Sequence, residues 1–199
     1  MKLTLSCAAA CILLMLSFAA PAAAGPLEDA ATAHSSGDYA TALRLIRPLA
    51  DQGNATAQSM MGILYSTGKG VTQSYIEAAE WYRLAANQGL ASAQYNLGSL
   101  YGNGQGVPQN YTEAMKWYHL AGDQGDAKAQ FNLGAMYAVG QGAPKDLVRA
   151  LVWLNLSAAQ GAQEAVAIRD AIKKGATPAQ IAEAQKLARE WKPTKQQAQ

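Results

Sequence analysis

The stretch from Ala91 to Ala121, ASAQYNLGSLYGNGQGVPQNYTEAMKWYHLA, decides the fold. Ala93, Leu97, Leu100 and Tyr101 recur at helical spacing and predict a first helix from about Ala91 to Gly102. Tyr111, Ala114, Met115, Tyr118 and Ala121 form a second apolar stripe and predict a second helix from about Tyr111 to Asp123. Between them lies Gly104-Gln105-Gly106-Val107-Pro108. Glycines there can adopt positive φ and close the first helix, and the proline blocks its continuation. Gly125 ends the second helix in the same way. The unit is a helical hairpin.

The hairpin repeats with a period of 36 residues, seen in Gly62, Gly98 and Gly134 and in Tyr65, Tyr101 and Tyr137. The same step links Gly68, Gly104 and Gly140; Gly70, Gly106 and Gly142; and Trp81, Trp117 and Trp153. It also links Gly53, Gly89, Gly125 and Gly161. A helix of about a dozen residues is marginal alone, and one hairpin leaves an apolar side bare; stacking hairpins buries it in a continuous core. Gly98 lies inside its helix, where glycine costs about 1 kcal/mol against alanine. Close approach by Trp117 or Tyr118 of the partner helix would offset that cost, with Trp81 and Trp153 taking the part in the neighbouring repeats.

This frame divides the chain into segments. Residues 1–24 read as a signal peptide and 25–53 as a partial repeat capping the N-terminus. Full repeats follow at 54–89, 90–125 and 126–161, then a capping helical hairpin at 162–191 and a loose tail at 192–199. In the N-terminal cap, Tyr39, Ala42, Ile46 and Gly53 match Tyr75, Ala78, Tyr82 and Gly89, preceded by a short helix near Pro26 to His34. In the C-terminal cap, a helix over Gln163 to Lys174 is closed by Gly175. Thr177-Pro178 then reads as an N-cap with proline in the first turn, starting a last helix that runs to about Trp191. About ten helices in five hairpins are expected.

The first segment carries a positive start (Met1, Lys2), an apolar run from Leu3 to about Ala20, then Pro21 and Ala22-Ala23-Ala24 before Gly25. That is the layout of a secretory signal cleaved after Ala24. The alternative is an uncleaved anchor, but the run falls just short of the ~20 residues that span a bilayer. A periplasmic or secreted chain, not membrane-spanning after cleavage, is the expectation. Cys7 and Cys11, the chain's two cysteines, both lie in this segment, so residues 25–199 have no thiol chemistry. The formal charge of +2 gives no reason to expect a nucleic acid as partner.

Ala91-x-Ala93-Gln94-x-x-Leu97-Gly98-x-x-Tyr101-x-x-Gly104-x-Gly106-Val107, continuing to Trp117-Tyr118-x-x-Ala121, resembles the Sel1-like repeat family, a relative of the tetratricopeptide repeat. The period of 36, the Gly-x-Gly between helices and the tryptophan on the second helix favour Sel1-like over tetratricopeptide repeats. The resemblance implies an all-α, right-handed α-α superhelical solenoid whose first helices line a concave face. It also implies an adaptor in signalling, secretion or envelope assembly, with a protein or peptide partner and control of a sensor or envelope enzyme. A cysteine-rich branch of the family suggests an alternative, peptidoglycan binding or β-lactam hydrolysis; this chain lacks that branch's cysteines.

Little in the sequence points to catalysis, a metal or a cofactor. His119 occupies the place of Arg83 and Asn155, as a solvated helix face would allow. Ser66-Thr67-Gly68-Lys69 has the S-x-x-K spacing, but Lys69 stands where Gln105 and Gln141 stand and no K-T-G follows. By analogy with tetratricopeptide grooves, first-helix positions that differ between repeats face the concavity: Ser59/Tyr95/Phe131, Ile63/Ser99/Ala135 and Thr67/Asn103/Val139. Tyr95 and Phe131 would form an aromatic step, with Asn96 and Asn132 beside it offering amide hydrogen bonds. The other reading packs both rings between adjacent repeats. The predicted partner-binding set is therefore Ser59, Tyr95, Asn96, Ser99, Asn103, Phe131 and Asn132.

Overall fold

The computed structural model describes residues 25–194. The signal segment expected at 1–24 and the last five residues lie outside the described residues. The described chain contains ten helices and no strand: α1 (Pro26–Ser35), α2 (Tyr39–Asp51), α3 (Ala55–Thr67), α4 (Tyr75–Asn87), α5 (Ala91–Asn103), α6 (Tyr111–Asp123), α7 (Ala127–Val139), α8 (Leu147–Ala159), α9 (Gln163–Lys173) and α10 (Pro178–Glu190). Among them, α1/α2, α3/α4, α5/α6 and α7/α8 pack as hairpins, and each second helix also packs on the next first helix. The result is a solenoid with three linked apolar clusters along its length.

Each hairpin is cut from the chain by local chemistry. Second helices begin where Ser74 Oγ, Asn110 Oδ1 and Asp146 Oδ1 accept from the backbone N–H three residues on. First helices end at Gly68, Gly104 and Gly140, each at positive φ. The next N–H reaches back to Leu64, Leu100 and Met136, satisfying an orphan carbonyl. Gly106 has two reasons to be glycine: its φ is +70°, and a Cβ there would overlap the Tyr75 carbonyl group of the preceding repeat. Gly142 meets Tyr111 O in the same way. The second glycine of each loop is thus where the backbones of adjacent repeats touch.

The close approach at the helix-interior glycines is made by Tyr82, Tyr118 and Leu154, not by the tryptophans. A Cβ at Gly98 would lie 2.9 Å from the Tyr118 ring, and at Gly134 2.5 Å from Leu154 Cγ. The indoles sit one position earlier on the same helix, about 100° away around its axis. That turns Trp81, Trp117 and Trp153 into the seams against the preceding hairpins. Their surroundings are alike: Arg47 lies over Trp81, and His119, at the equivalent position two repeats later, meets Trp153 edge-on at 5.4 Å between ring centroids.

The C-terminus departs from expectation. α10 packs against α8 and scarcely touches α9, so the two do not form a hairpin. Thr177 and Gln180 do form the capping box that starts α10. Its Ala188, and Trp191 just beyond its end, join the cluster of the second and third repeats. The chain beyond is not loose as far as Thr194, whose N–H donates to Asp123 O at 2.8 Å. Residues with apolar surface to bury, Trp191 above all, fold this segment back over the array.

Candidate functional site

A pocket of about 390 Å³ opens at the junction of the second and third repeats. It is lined by Gly102 and Asn103 of α5, Gln109 of the loop, Tyr111 and Tyr118 of α6, Asn132, Ala135 and Met136 of α7, and Gln141. Its polar groups are four side-chain amides and two phenols; no formally charged side chain lines it. Such groups can donate and accept hydrogen bonds with no fixed charge to balance.

Tyr118 organises the pocket. Its ring, 6% exposed, lies against Gly98 and tilts on Tyr95 at 5.9 Å. Burial pushes its hydroxyl up to about 12, with Tyr95 adding to the rise, and hydrogen bonds with Ser99 and Asn132 work against it. The phenol therefore stays protonated and can both donate and accept. Gln109 is held in place by Nε2, which donates to Gly102 O at 2.9 Å. Asn103 Nδ2 reaches Ser99 Oγ and Gln105 Oε1, both at 3.4 Å.

The predicted partner-binding residues divide accordingly. Asn103 and Asn132 line the pocket. Ser99 stands behind it as a hydrogen-bond partner of Tyr118. Tyr95 packs on the core and on Tyr118, with Lys128 over its ring at 5.9 Å, so it backs the wall. Asn96 and Phe131 are partly exposed but do not line the pocket. Ser59 is 5% exposed, which removes it from any solvent-facing surface: its place near the start of α3 is covered. Tyr111, Tyr118, Gln109 and Gln141 were not anticipated. Tyr118 reads in the sequence as part of its helix's apolar stripe and Gln141 as a loop position, and no pattern within one repeat sets them apart.

His119 is not on a solvated face. It is half-buried, and its Nε2 lies 3.0 Å from Tyr137 Oη. Arg83, one repeat earlier, donates to Tyr101 Oη at 3.1 Å. The position accepts both residues because each presents a nitrogen to the next repeat's tyrosine. Ser66 Oγ is engaged with Tyr82 Oη at 3.2 Å, while Lys69 lies over the Tyr39 ring. A second cavity, about 480 Å³, separates His119, Tyr137 and Arg149 from Glu190 and Trp191 of the folded-back C-terminus. No group of three or more His, Cys, Asp or Glu that could hold a metal occurs among the described residues, and none of their helices is long and apolar enough to cross a membrane.

Stacked helical hairpins with a pocket between consecutive units define a helical-repeat scaffold. The family model described as Sel1 repeat matches residues 55–90, 91–126 and 127–161, and the chain belongs to the Sel1 repeat family. It is similar to a solved Sel1 repeat protein from Oxalobacter formigenes, with 35% identity over 72% of this chain and 59% of that one, at a TM-score of 0.69. It is also similar to c5321, a protective antigen present in uropathogenic Escherichia coli strains displaying an SLR fold. There the identity is 33% over 70% of this chain and 34% of that one, at a TM-score of 0.63. The chain thus corresponds to 59% and 34% of the lengths of these two relatives. No curated protein matches it. Sel1 repeat proteins generally mediate protein–protein interaction.

Proposed function

We propose that this chain is an exported adaptor that holds a protein or peptide partner at the junction of its second and third repeats. The observation that carries the reading is the pocket of about 390 Å³ framed by Asn103, Asn132 and Tyr118, whose polar lining is uncharged amides and phenols. Export rests on the sequence of residues 1–24, which has the form of a cleavable secretory signal. The chain acts in the periplasm or outside the cell, where it regulates an envelope sensor or enzyme by binding it.

The test is photo-crosslinking in cells with a reactive residue placed at Asn103 or Asn132. A discrete protein adduct at both positions, absent when the probe sits at Glu80 on the exposed face of α4, is the expected result. Recovery of cell-wall fragments without protein overturns the reading. Mass analysis of the exported chain should find Gly25 at its N-terminus.

A further inference from the structure

The junctions between repeats differ at one pair of positions. In the first repeat, Ser66 Oγ lies 3.2 Å from Tyr82 Oη, so the serine caps the phenol from within. One period later the serine's place is taken by Gly102, while the tyrosine is kept as Tyr118. In the third repeat the two are Ala138 and Leu154, and there is no phenol to cap. Of the three full repeats, the second alone combines a tyrosine with a missing side chain at these positions, and both Gly102 and Tyr118 line the pocket.

Packing does not explain Gly102. A Cβ at Gly98, four residues earlier in α5, would press within 2.9 Å of the Tyr118 ring. At Gly102 it would meet Ala114 Cβ and Tyr118 Oη at 3.8 Å, an ordinary contact. The φ of Gly102 is not positive, so the backbone does not need glycine either. Glycine is among the poorest helix formers. Its place near the end of α5 is accounted for by the space it leaves over Tyr118.

The lining sets what can enter. Asn103, Asn132 and Gln141 present amides, Tyr111 and Tyr118 phenols, and Met136 a small apolar surface. A charged group would lose hydration without meeting an opposite charge. A peptide amide, main-chain or side-chain, offers both a carbonyl acceptor and N–H donation to a wall of the same kind. We infer that this pocket receives an uncharged, amide-bearing segment of the partner peptide, and that Gly102 admits it. The inference rests on the adaptor reading and adds the class of peptide.

The probes are end-capped tetrapeptides: acetyl-GNQG-amide, its acidic and lysine-containing counterparts, and cellobiose as a neutral sugar. Binding is followed through the NMR side-chain amide signals of Asn103, Asn132 and Gln141. The uncharged peptide should shift these signals at millimolar concentration. Gly102→Ser, which rebuilds the Ser66–Tyr82 arrangement, should weaken it by about tenfold or more without lowering the melting temperature. Gly102→Ala, which adds only a methyl group, serves should the serine variant fold poorly, and should also weaken binding. Equal or tighter binding of the charged peptides, undiminished binding in both variants, shifts with cellobiose alone, or no shift with any peptide overturns the inference. Undiminished capture of the crosslinked partner by Gly102→Ser would overturn it too while leaving the adaptor reading intact. Peptide binding with no partner captured in cells would do the reverse.

Discussion

Gln160 donates from Nε2 to Gln130 Oε1 at 2.9 Å, and Gln130 donates onward to the Gly122 carbonyl, also at 2.9 Å. Gln124, Gln94 and the Ala86 carbonyl form the same relay one period earlier, and Gln88, Gln58 and the Ala50 carbonyl one period before that. The central glutamine of each relay is buried. It joins the end of one second helix to the end of the next through the first helix between them. Gln130→Leu removes a buried donor and strands Gln160, although Gly122 O keeps its bond from Gly125 N. The expected cost is about 1–2 kcal/mol in urea unfolding. Gln160→Ala leaves Gln130 its carbonyl and should cost less than about 1 kcal/mol. Equal costs would show that the relay does not run through Gln130.

Two glycines four residues apart in α5 should respond to alanine with opposite sign. At Gly98 the new methyl group meets the Tyr118 ring at 2.9 Å and Ala114 O at 3.2 Å, so overpacking outweighs the gain in helix propensity. Gly98→Ala is expected to destabilise by about 1–3 kcal/mol. Gly102→Ala meets nothing closer than 3.8 Å, and should be neutral or stabilising by up to about 1 kcal/mol. Thermal melts of the two variants decide it; a loss at both would mean that α5 lies closer to α6 at Gly102 than the 3.8 Å separation allows.

His119 predicts a pH dependence. Burial holds its imidazole below the ordinary value, Arg149 adds to that, and Asp123 opposes it. Tyr137 and Trp153 face the ring, and Glu190 lines the same cavity. The folded state therefore binds a proton less readily than the unfolded chain. Its stabilising share is present above an ordinary imidazole pKa of about 6.5 and is lost as pH falls below it. Asp123, pushed up by burial, acts in the opposite sense, in a lower window just above the usual carboxylate range. The melting temperature should drop between about pH 7.5 and about pH 5.5. His119→Asn, which copies Asn155 of the third repeat, should flatten that drop. An unchanged slope would assign it to other groups.

The period and the hairpins were legible because Gly106, Gly98 and their counterparts are forced by backbone contact and by close side-chain packing in every full repeat. Such constraints recur with the repeat and so stand out. The sequence leaves Trp117 and Tyr118 as alternatives against Gly98, and extends the tryptophan to the neighbouring repeats, because the two are bulky and adjacent; only the rotation of about 100° between neighbours separates them. The glutamine relay was legible in principle, since Gln58, Gln94 and Gln130 share the 36-residue step with Gln88, Gln124 and Gln160 in register behind them. Asn103 and Asn132 were found because they vary or accompany variation. Tyr118 was not, because its place in the apolar stripe of α6 reads as core packing. Its distinction lies in what is missing beside it, at Gly102. The fold of α10 onto α8 was hidden because the period ends at Gly161 and nothing local specifies which earlier helix a capping helix will cover.

That cover can be removed. Leu84, Leu120 and Leu156 stand one period apart, yet Leu84 and Leu120 are 48% and 44% exposed while Leu156 is 8% exposed. The difference is α10, whose Ala188 and Arg189 line the same cleft as Leu156. Trp191 packs on the cluster of the second and third repeats, and Thr194 bonds to Asp123 O. Trp191→Ala, at a half-buried site, should cost about 1–3 kcal/mol, less than a fully buried indole. Deleting residues 177–199, which removes α10 with its cap, should leave Leu156 as open as its counterparts. In an array whose units hold only their neighbours, the loss should stay local. Hydrogen exchange should then speed up in α8 and α9 while α3 and α4 keep their protection. Uniform loss along the chain would mean that the C-terminal segment supports the whole array, and no loss at all would mean that its contacts with α8 and Asp123 contribute nothing to stability.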